Sequence, residues 1–363
     1  MQELIQSVIT PLTKKSKSIH VGITLEGKHS YQGFGSLSDN NKNPPDLYTL
    51  YETGDIGKTV TAALLAKTIR EGKAPYHEPI SSFGWEFTNL PDEITPYTLV
   101  THTSGMPFMP TNIKRYLLRN YKNPHHYYND EDWIVYLRKY KTKQKSKVDD
   151  LHYSHTGYAV LGRFLERIWE EPFEILAKKL VMSPLGLEDT TLTFPAEKLK
   201  RIAPPYNYQL KKTHLDRPST FQGAGGWISS TADLLYYLEA HLSPSPAFAY
   251  FADTHGIKEK GRKGIKGAEG VSRGWMIVFP FGEKYPVHFI SGSTAGSQCF
   301  IGWCKPAHAG IVICSNKGAK RKETPTRTEI SAAGLAIIRE VVQERLKERG
   351  IFRTPELPAS FNI

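Results

Sequence analysis

Short β-rich segments lie near both ends of this chain, and segments with helical periodicity fill most of the length between them. Near the amino terminus, residues 18–25 and 29–35 are rich in β-branched and aromatic side chains and are separated by a Glu-Gly-Lys turn. This spacing is typical of a β-hairpin. Four further β runs are expected at 274–280, 286–290, 297–303 and 309–315. The order of these segments predicts one sheet built from both ends of the chain, with a helical insertion in the middle.

Apolar residues recur with helical spacing in several other segments. The segments are 59–70, 156–169, 173–180, 231–241 and 329–349, with weaker helical patches near 112–120 and 131–140. The run at 139–147 alternates lysines with polar residues and predicts a solvated loop.

The composition indicates a folded, cysteine-poor protein. Hydrophobic residues make up 39% of the 363 residues, which is enough to form a sizeable core. The three cysteines are Cys299, Cys304 and Cys314, an odd and late cluster that does not suggest a disulfide framework or a zinc site. We therefore expect no metal and no cofactor.

Two features of the sequence bear on location. No run of about 18 apolar residues occurs, so no membrane-spanning helix is expected. The amino-terminal lysines at 14–17 follow the first apolar residues, whereas a signal peptide has its positive charges first. The expectation is a cytoplasmic protein.

The chain is basic, with 47 Lys and Arg against 36 Asp and Glu and a formal charge of +11. The basic residues are spread over loops at 14–17, 139–147, 198–201, 258–266 and 317–322. They do not form one basic helix face, and no nucleic-acid-binding module is recognisable, so we expect no nucleic-acid partner. A dispersed positive surface would at most steer an anionic substrate, including a small molecule carried by an acidic carrier protein.

The segment Tyr51–Thr59 is the strongest candidate for a functional motif. It ends in Gly-Lys-Thr, as a phosphate-binding loop does, but that motif requires glycine where Glu52 stands. A carboxylate at that position would also repel phosphate, so a nucleotide site is excluded.

The same segment resembles the start of the active-site helix in the β-lactamase and penicillin-binding-protein superfamily, particularly its class C and esterase-like branch, which carries a Ser-x-x-Lys motif there. Other segments resemble that family in the same order along the chain. These segments are Leu99–Met106, Tyr153–Tyr158, Ser183–Thr190, Ala224–Leu234, Ile290–Gly296 and residues 309–316. The resemblance extends from about residue 18 to about residue 345.

The resemblance implies an α/β fold in which an antiparallel sheet is flanked by helices and a mainly helical domain is inserted. We expect residues 1–60 and 215–363 to form the sheet domain and residues 61–214 the helical one. The active site would lie where the two domains meet.

The departures from the family pattern decide the chemistry. Asp55 stands where the family has its nucleophilic serine, His155 replaces the asparagine of the Tyr-x-Asn motif, and Ile290 replaces a cationic residue. Lys58 and Tyr153 match the family's acid/base pair. An amide attacked by the Asp55 carboxylate would give an anhydride, which is energetically uphill, so ordinary serine-type turnover is not expected.

The resemblance also assigns residues around this centre. The backbone N–H groups of Asp55 and Ser293 take the positions of the family's oxyanion donors. The Ser291-Gly292-Ser293 segment would line the pocket, and its aromatic wall has four candidates: Trp227, Tyr206, Tyr208 and Phe221. Core packing is an alternative role for these four aromatic residues.

Three functions fit this pattern. The first is an enzyme that isomerises, eliminates or cyclises a small molecule, with Asp55 as base or nucleophile, Lys58 as orienting cation and Tyr153 or His155 as proton donor. The second is an inactive relative that binds a peptide or cell-wall-like ligand. The third is an esterase or amidase whose serine was replaced by Asp55 through engineering.

Overall fold

The computed structural model describes residues 1–116, 127–140, 151–216, 220–256, 259–260, 265, 267–320 and 328–351. Within these residues an eight-stranded antiparallel sheet has the order β2-β1-β10-β9-β8-β7-β6-β5, and β3 and β4 form a separate pair. The strands are β1 Ser18–Leu25, β2 Lys28–Gly35, β3 Leu50–Glu52, β4 Ile228–Ser230, β5 Glu259–Lys260, β6 Gly270–Val271, β7 Met276–Val278, β8 Val287–Ser293, β9 Gln298–Cys304 and β10 Ala309–Ser315.

Helices cover both faces of the large sheet. The α-helices are α1 Gln2–Thr13, α2 Gly57–Arg70, α3 Pro96–Val100, α4 Asp130–Arg138, α5 His155–Trp169, α6 Phe173–Ala177, α7 Ala196–Leu199, α8 Thr231–Leu242 and α9 Glu329–Glu348. Apolar residues of α1 and α9 pack on one face. Helices α2, α5 and α8 share a second core with side chains from the opposite face.

The antiparallel sheet flanked by helices confirms the predicted α/β class. The amino-terminal hairpin forms in the expected register, with Ser18 opposite Gly35 and Leu25 opposite Lys28. Strand β2 has exposed and partly buried residues because it lies at the edge of the sheet, whereas β1 is buried between two neighbours. The division into domains 1–60 plus 215–363 and 61–214 stays a prediction.

Some elements differ from the expected bounds. Strand β7 covers only three residues of the run at 274–280, and the helix expected at 173–180 becomes a π-helix from Lys178 to Met182. The patch near 112–120 forms a 3-10 helix over Thr111–Tyr116. Residues 117–120 and most of the predicted loop at 139–147 lie outside the described residues.

No helix among the described residues is both long and apolar enough to cross a membrane.

Three histidines form a cluster in the core, and one of them, His288, lies on β8. His241 Nδ1 lies 3.0 Å from His255 Nε2, and His288 Nε2 donates to the backbone carbonyl of His255 at 3.0 Å. The His288 ring stacks on Trp303 with 4.3 Å between centroids. Burial lowers the pKa of His255 to about 3 and that of His288 to about 4, and it lowers the pKa of His241 well below its usual value.

This cluster predicts acid-sensitive folding. The native histidines stay neutral, whereas in the unfolded chain they bind protons below a pKa of about 6.5, so stability is full above that pH and falls as the pH drops towards 4. Each of His255 and His288 is expected to cost about 2 kcal/mol of unfolding free energy between pH 7.5 and pH 5. Urea unfolding at both pH values measures the loss, and His288→Phe should reduce it by about 2 kcal/mol, the share of one histidine. An equal loss in that variant would contradict the assignment.

Candidate functional site

The turn that carries Asp55 joins β3 to α2. Strand β3 ends at Glu52, one 3-10 turn spans Gly54–Ile56, and α2 starts at Gly57. Gly54 has φ +54°, and a Cβ there would lie 2.6 Å from the backbone nitrogen of Ser293. A larger residue would therefore separate the turn from strand β8.

Three side chains hold the Asp55 carboxylate. Lys58 Nζ donates to Asp55 Oδ1 at 2.7 Å, and His155 Nε2 lies 2.8 Å from the same oxygen. The Tyr153 hydroxyl donates to Asp55 Oδ2 at 3.0 Å. Asp55 is 4% exposed and Lys58 is fully buried. The predicted catalytic residues Asp55, Lys58, Tyr153 and His155 thus meet in one network.

Burial and the neighbouring charges together determine the protonation states of the residues in this network. Burial alone would raise the pKa of Asp55, but the positive field of Lys58 and the hydrogen bonds from Lys58 and His155 hold it well below its usual value. Burial raises the pKa of Tyr153, and the neighbouring Asp55 charge raises it further. Burial and the Lys58 charge lower the pKa of His155, against the pull of Asp55. At neutral pH, Asp55 is therefore ionised, Tyr153 is a phenol and His155 is neutral.

The ammonium group of Lys58 has contacts besides its ion pair with Asp55. Burial lowers its pKa and Asp55 opposes that shift, so the ion pair keeps its charge. Its Nζ also donates to the backbone carbonyl of Ala224 at 3.0 Å and lies 5.0 Å from the ring centroid of Tyr153. A cation held between a carboxylate, a carbonyl and an aromatic face is a fixed source of positive field.

A cavity of about 220 Å³ opens on the Asp55 side of this network. It has a polar wall from β3 and the end of β8, and an apolar wall from Phe108, Met109 and Phe221. The full lining is Glu52, Gly54, Asp55, Phe108, Met109, His155, Asp216, Phe221, Ala224, Gly225, Gly226, Ser293 and Thr294. Lys58 and Tyr153 contact Asp55 but do not belong to this lining, and Tyr153 is partly exposed whereas Lys58 is fully buried.

Strand β8 approaches the Asp55 turn at Gly292. A Cβ at Gly292 would lie 1.9 Å from the carbonyl oxygen of Thr53 and 2.6 Å from the backbone nitrogen of Asp55. This close contact holds the backbones of Asp55 and Ser293 beside each other at the cavity. Their role as oxyanion donors stays a prediction.

The side chains of three residues expected at the pocket lie elsewhere in the structure. Ile290 is 1% exposed and belongs to the apolar core. Ser291 accepts a 2.6 Å hydrogen bond from Ser331, on α9. Trp227 is fully buried, and its Cδ1 would lie 2.5 Å from a Cβ at Gly57. These side chains do not line the cavity, whereas Phe221 does.

Several cavity residues were not predicted as site residues from the sequence: Glu52, Phe108, Met109, Asp216 and Thr294. Glu52 was considered only because its carboxylate would repel phosphate. Thr294 directly follows the predicted Ser291–Ser293 segment. Phe108 lies two residues beyond the matched segment that ends at Met106. Closeness in sequence to these motifs could have identified these residues, whereas Asp216 had no such signal.

Among the described residues, no group of three or more His, Cys, Asp or Glu side chains could hold a metal ion.

Comparisons with known proteins agree with this fold. The beta-lactamase family model matches residues 5–335. A beta-lactamase of Pseudomonas fluorescens is 23% identical over 89% of this chain and 95% of its own length. A beta-lactamase of Providencia stuartii is 28% identical over 66% of this chain, and the match spans 60% of that protein. The D-alanyl-D-alanine-carboxypeptidase/endopeptidase AmpH of Escherichia coli (strain K12) is 23% identical over 61% of this chain and 56% of its own length.

Solved structures give the same fold. A class C beta-lactamase in complex with cefoxitin superposes with a TM-score of 0.78 at 20% identity, covering 93% of this chain and 98% of the other. A beta-lactamase/D-alanine carboxypeptidase from Pseudomonas syringae gives a TM-score of 0.77 at 19% identity, with 93% and 98% coverage. Because the family model covers most of the chain and the architecture agrees, this protein belongs to the beta-lactamase family.

Proposed function

We propose that this protein is an acid/base enzyme that isomerises, eliminates or cyclises a small molecule, free or attached to a carrier protein, without forming an acyl-enzyme. Asp55 accepts the proton, Lys58 orients Asp55 and supplies a positive field, and Tyr153 donates to a substrate oxygen. The observation that carries the proposal is the Asp55 carboxyl group at the cavity, held by contacts with Lys58, Tyr153 and His155.

Tyr153 provides a way to activate Asp55. A carboxylate that accepts three hydrogen bonds is a weak base, and a useful base has a pKa nearer the working pH. Tyr153 is the donor on Oδ2, and its phenol is neutral. If its O–H turns to a substrate carbonyl oxygen, Oδ2 loses its donor and Asp55 becomes more basic as the substrate oxygen gains negative charge.

The proposal predicts that Tyr153→Phe abolishes turnover. Loss of this donor should lower the rate about 100-fold or more, because proton donation in a transition state contributes about 10²–10⁴-fold. The measurement is mass-spectrometric product detection with a panel of β-substituted carbonyl compounds, lactams, esters and acyl-pantetheine thioesters. Tyr97→Phe is a control, because the Tyr97 ring packs against Tyr76 and His77, whereas the Tyr153 hydroxyl contacts Asp55. Turnover that survives Tyr153→Phe unchanged would contradict the proposal.

A ligand-binding role is the second candidate, and the saturated Asp55 network favours it. Three donors already satisfy the carboxylate, so the network needs no reaction to explain its geometry. A panel compound that protects the chain against thermal unfolding without being converted would favour this function.

A further inference from the structure

Glu52 is a buried carboxyl group in the same cavity as Asp55, and it is separate from the proposed roles of Asp55, Lys58 and Tyr153. It is 4% exposed and lies three residues before Asp55, at the end of β3. Its Oε2 lies 2.8 Å from the Thr294 hydroxyl, and its Oε1 accepts a hydrogen bond from the backbone N–H of Asp216. Both Glu52 and Thr294 line the cavity.

The groups that face Glu52 favour its protonated form. The Asp216 carboxyl is close enough to act electrostatically, and the Cys299 thiol donates to the backbone carbonyl of Glu52 at 3.3 Å. Burial, followed by the negative charge of Asp216, raises the pKa of Glu52 to about 8. The hydrogen bonds from Thr294 and Asp216 only partly oppose that shift.

The cavity thus contains two carboxyl groups in opposite states. Lys58 lies against Asp55 and keeps it ionised, whereas burial, together with the nearby Asp216, keeps Glu52 protonated. Two carboxyl groups whose environments separate their pKa values are the usual arrangement for a paired base and acid.

We propose that Glu52 supplies the proton that the leaving group takes and that Thr294 carries this proton to the substrate, while Tyr153 donates its hydrogen bond to the substrate carbonyl oxygen. This inference rests on the proposed acid/base function. Thr294 Oγ1 already accepts a hydrogen bond from the Gly296 N–H at 3.2 Å, so its hydroxyl hydrogen can turn away from Glu52 towards the cavity. Glu52 then donates to Thr294 Oγ1, and Thr294 gives its own hydrogen to the substrate.

The proton balance is simplest for an elimination from a β-substituted carbonyl compound. Asp55 accepts the proton from carbon, the C–H electron pair forms the new double bond, and the bond to the leaving group breaks with its electron pair. The leaving oxygen or nitrogen takes the Thr294 proton, and Glu52 replaces it. Solvent then removes the proton from Asp55 and returns one to Glu52.

The first test is the titration of Glu52 by carboxyl ¹³C NMR in the full-length chain. One glutamate resonance should titrate near pH 8 and be missing in Glu52→Gln. A Glu52 resonance that titrates below pH 5 would overturn the proposal whether or not turnover is found.

The second test uses the panel reaction that Tyr153→Phe abolishes. Glu52→Gln should lower kcat about 100-fold and remove the fall in rate above pH 8. Thr294→Val should have the same effect on kcat, while Thr294→Ser, which keeps the hydroxyl, should recover at least about 10-fold of the rate that Thr294→Val loses. A wild-type rate and pH profile in Glu52→Gln would overturn this inference but leave the proposed function standing. If Tyr153→Phe abolishes no reaction, the proposed function and the catalytic role of Glu52 both fail.

Discussion

Replacing Asp55 by serine is expected to make this chain acylable by a penicillin, whereas the wild-type chain stays unmodified. A serine at position 55 would have Lys58 within reach as its base and Tyr153 nearby, as in the family motif that this segment resembles. A hydroxyl also leaves the oxyanion position without the negative charge that the Asp55 carboxylate places there. Intact-protein mass spectrometry after incubation with benzylpenicillin would detect one covalent adduct per chain.

Asp55→Ala is the matched control for acylation, because it removes the carboxylate without supplying a nucleophile. We expect slow acylation in the serine variant, because Ile290 cannot attract a substrate carboxylate. The absence of any adduct in Asp55→Ser would contradict the idea that Lys58 and Tyr153 retain competent positions. An adduct on the wild-type chain would contradict the acyl-enzyme-free mechanism.

Lys58→Met is expected to destabilise the fold and to lower the free energy of unfolding by about 3–5 kcal/mol. This substitution leaves the Asp55 carboxylate buried without its cation, which is costly because a buried charge loses its hydration. Urea unfolding followed by circular dichroism measures the change.

Lys67→Met is a matched control on the same helix. Lys67 pairs with Glu71 at 2.7 Å, but both side chains are partly exposed, so its loss should cost less than about 1 kcal/mol. In the double variant Lys58→Met with Asp55→Leu, most of the stability should return, because no charge remains unpaired. Equal costs for Lys58→Met and Lys67→Met would show that the Asp55 ion pair does not stabilise the fold.

Local patterns predicted much of the secondary structure. The hairpin of β1 and β2 depends on a turn and two adjacent strands, and α5 has both an apolar face and Ser154, whose side chain accepts a hydrogen bond from the Gly157 N–H. The two-stranded pair of β3 and β4 was missed because each strand is only three residues long and its partner lies far away in sequence. Such pairing depends on tertiary contacts rather than on local periodicity.

The centre of the site was accessible from sequence, but most of its walls were not. Asp55 and Lys58 share one motif, and Tyr153 and His155 share another, so family spacing could identify them. Phe108 and Asp216 lie in connecting segments without a regular pattern, and they reach the cavity only through the packing of the whole fold. Ser291 alternates with Gly292 along β8 and therefore faces α9 instead of the cavity.

The role of Asp55 as the base is tested by the turnover number of Asp55→Asn on a substrate found with the panel. Asparagine keeps the size of the side chain and removes the charge that accepts the proton. We expect the turnover number to fall about 100-fold or more, with a native circular dichroism spectrum and retained substrate binding at the assay temperature. A folded Asp55→Asn variant with the wild-type turnover number would show that Asp55 is not the base.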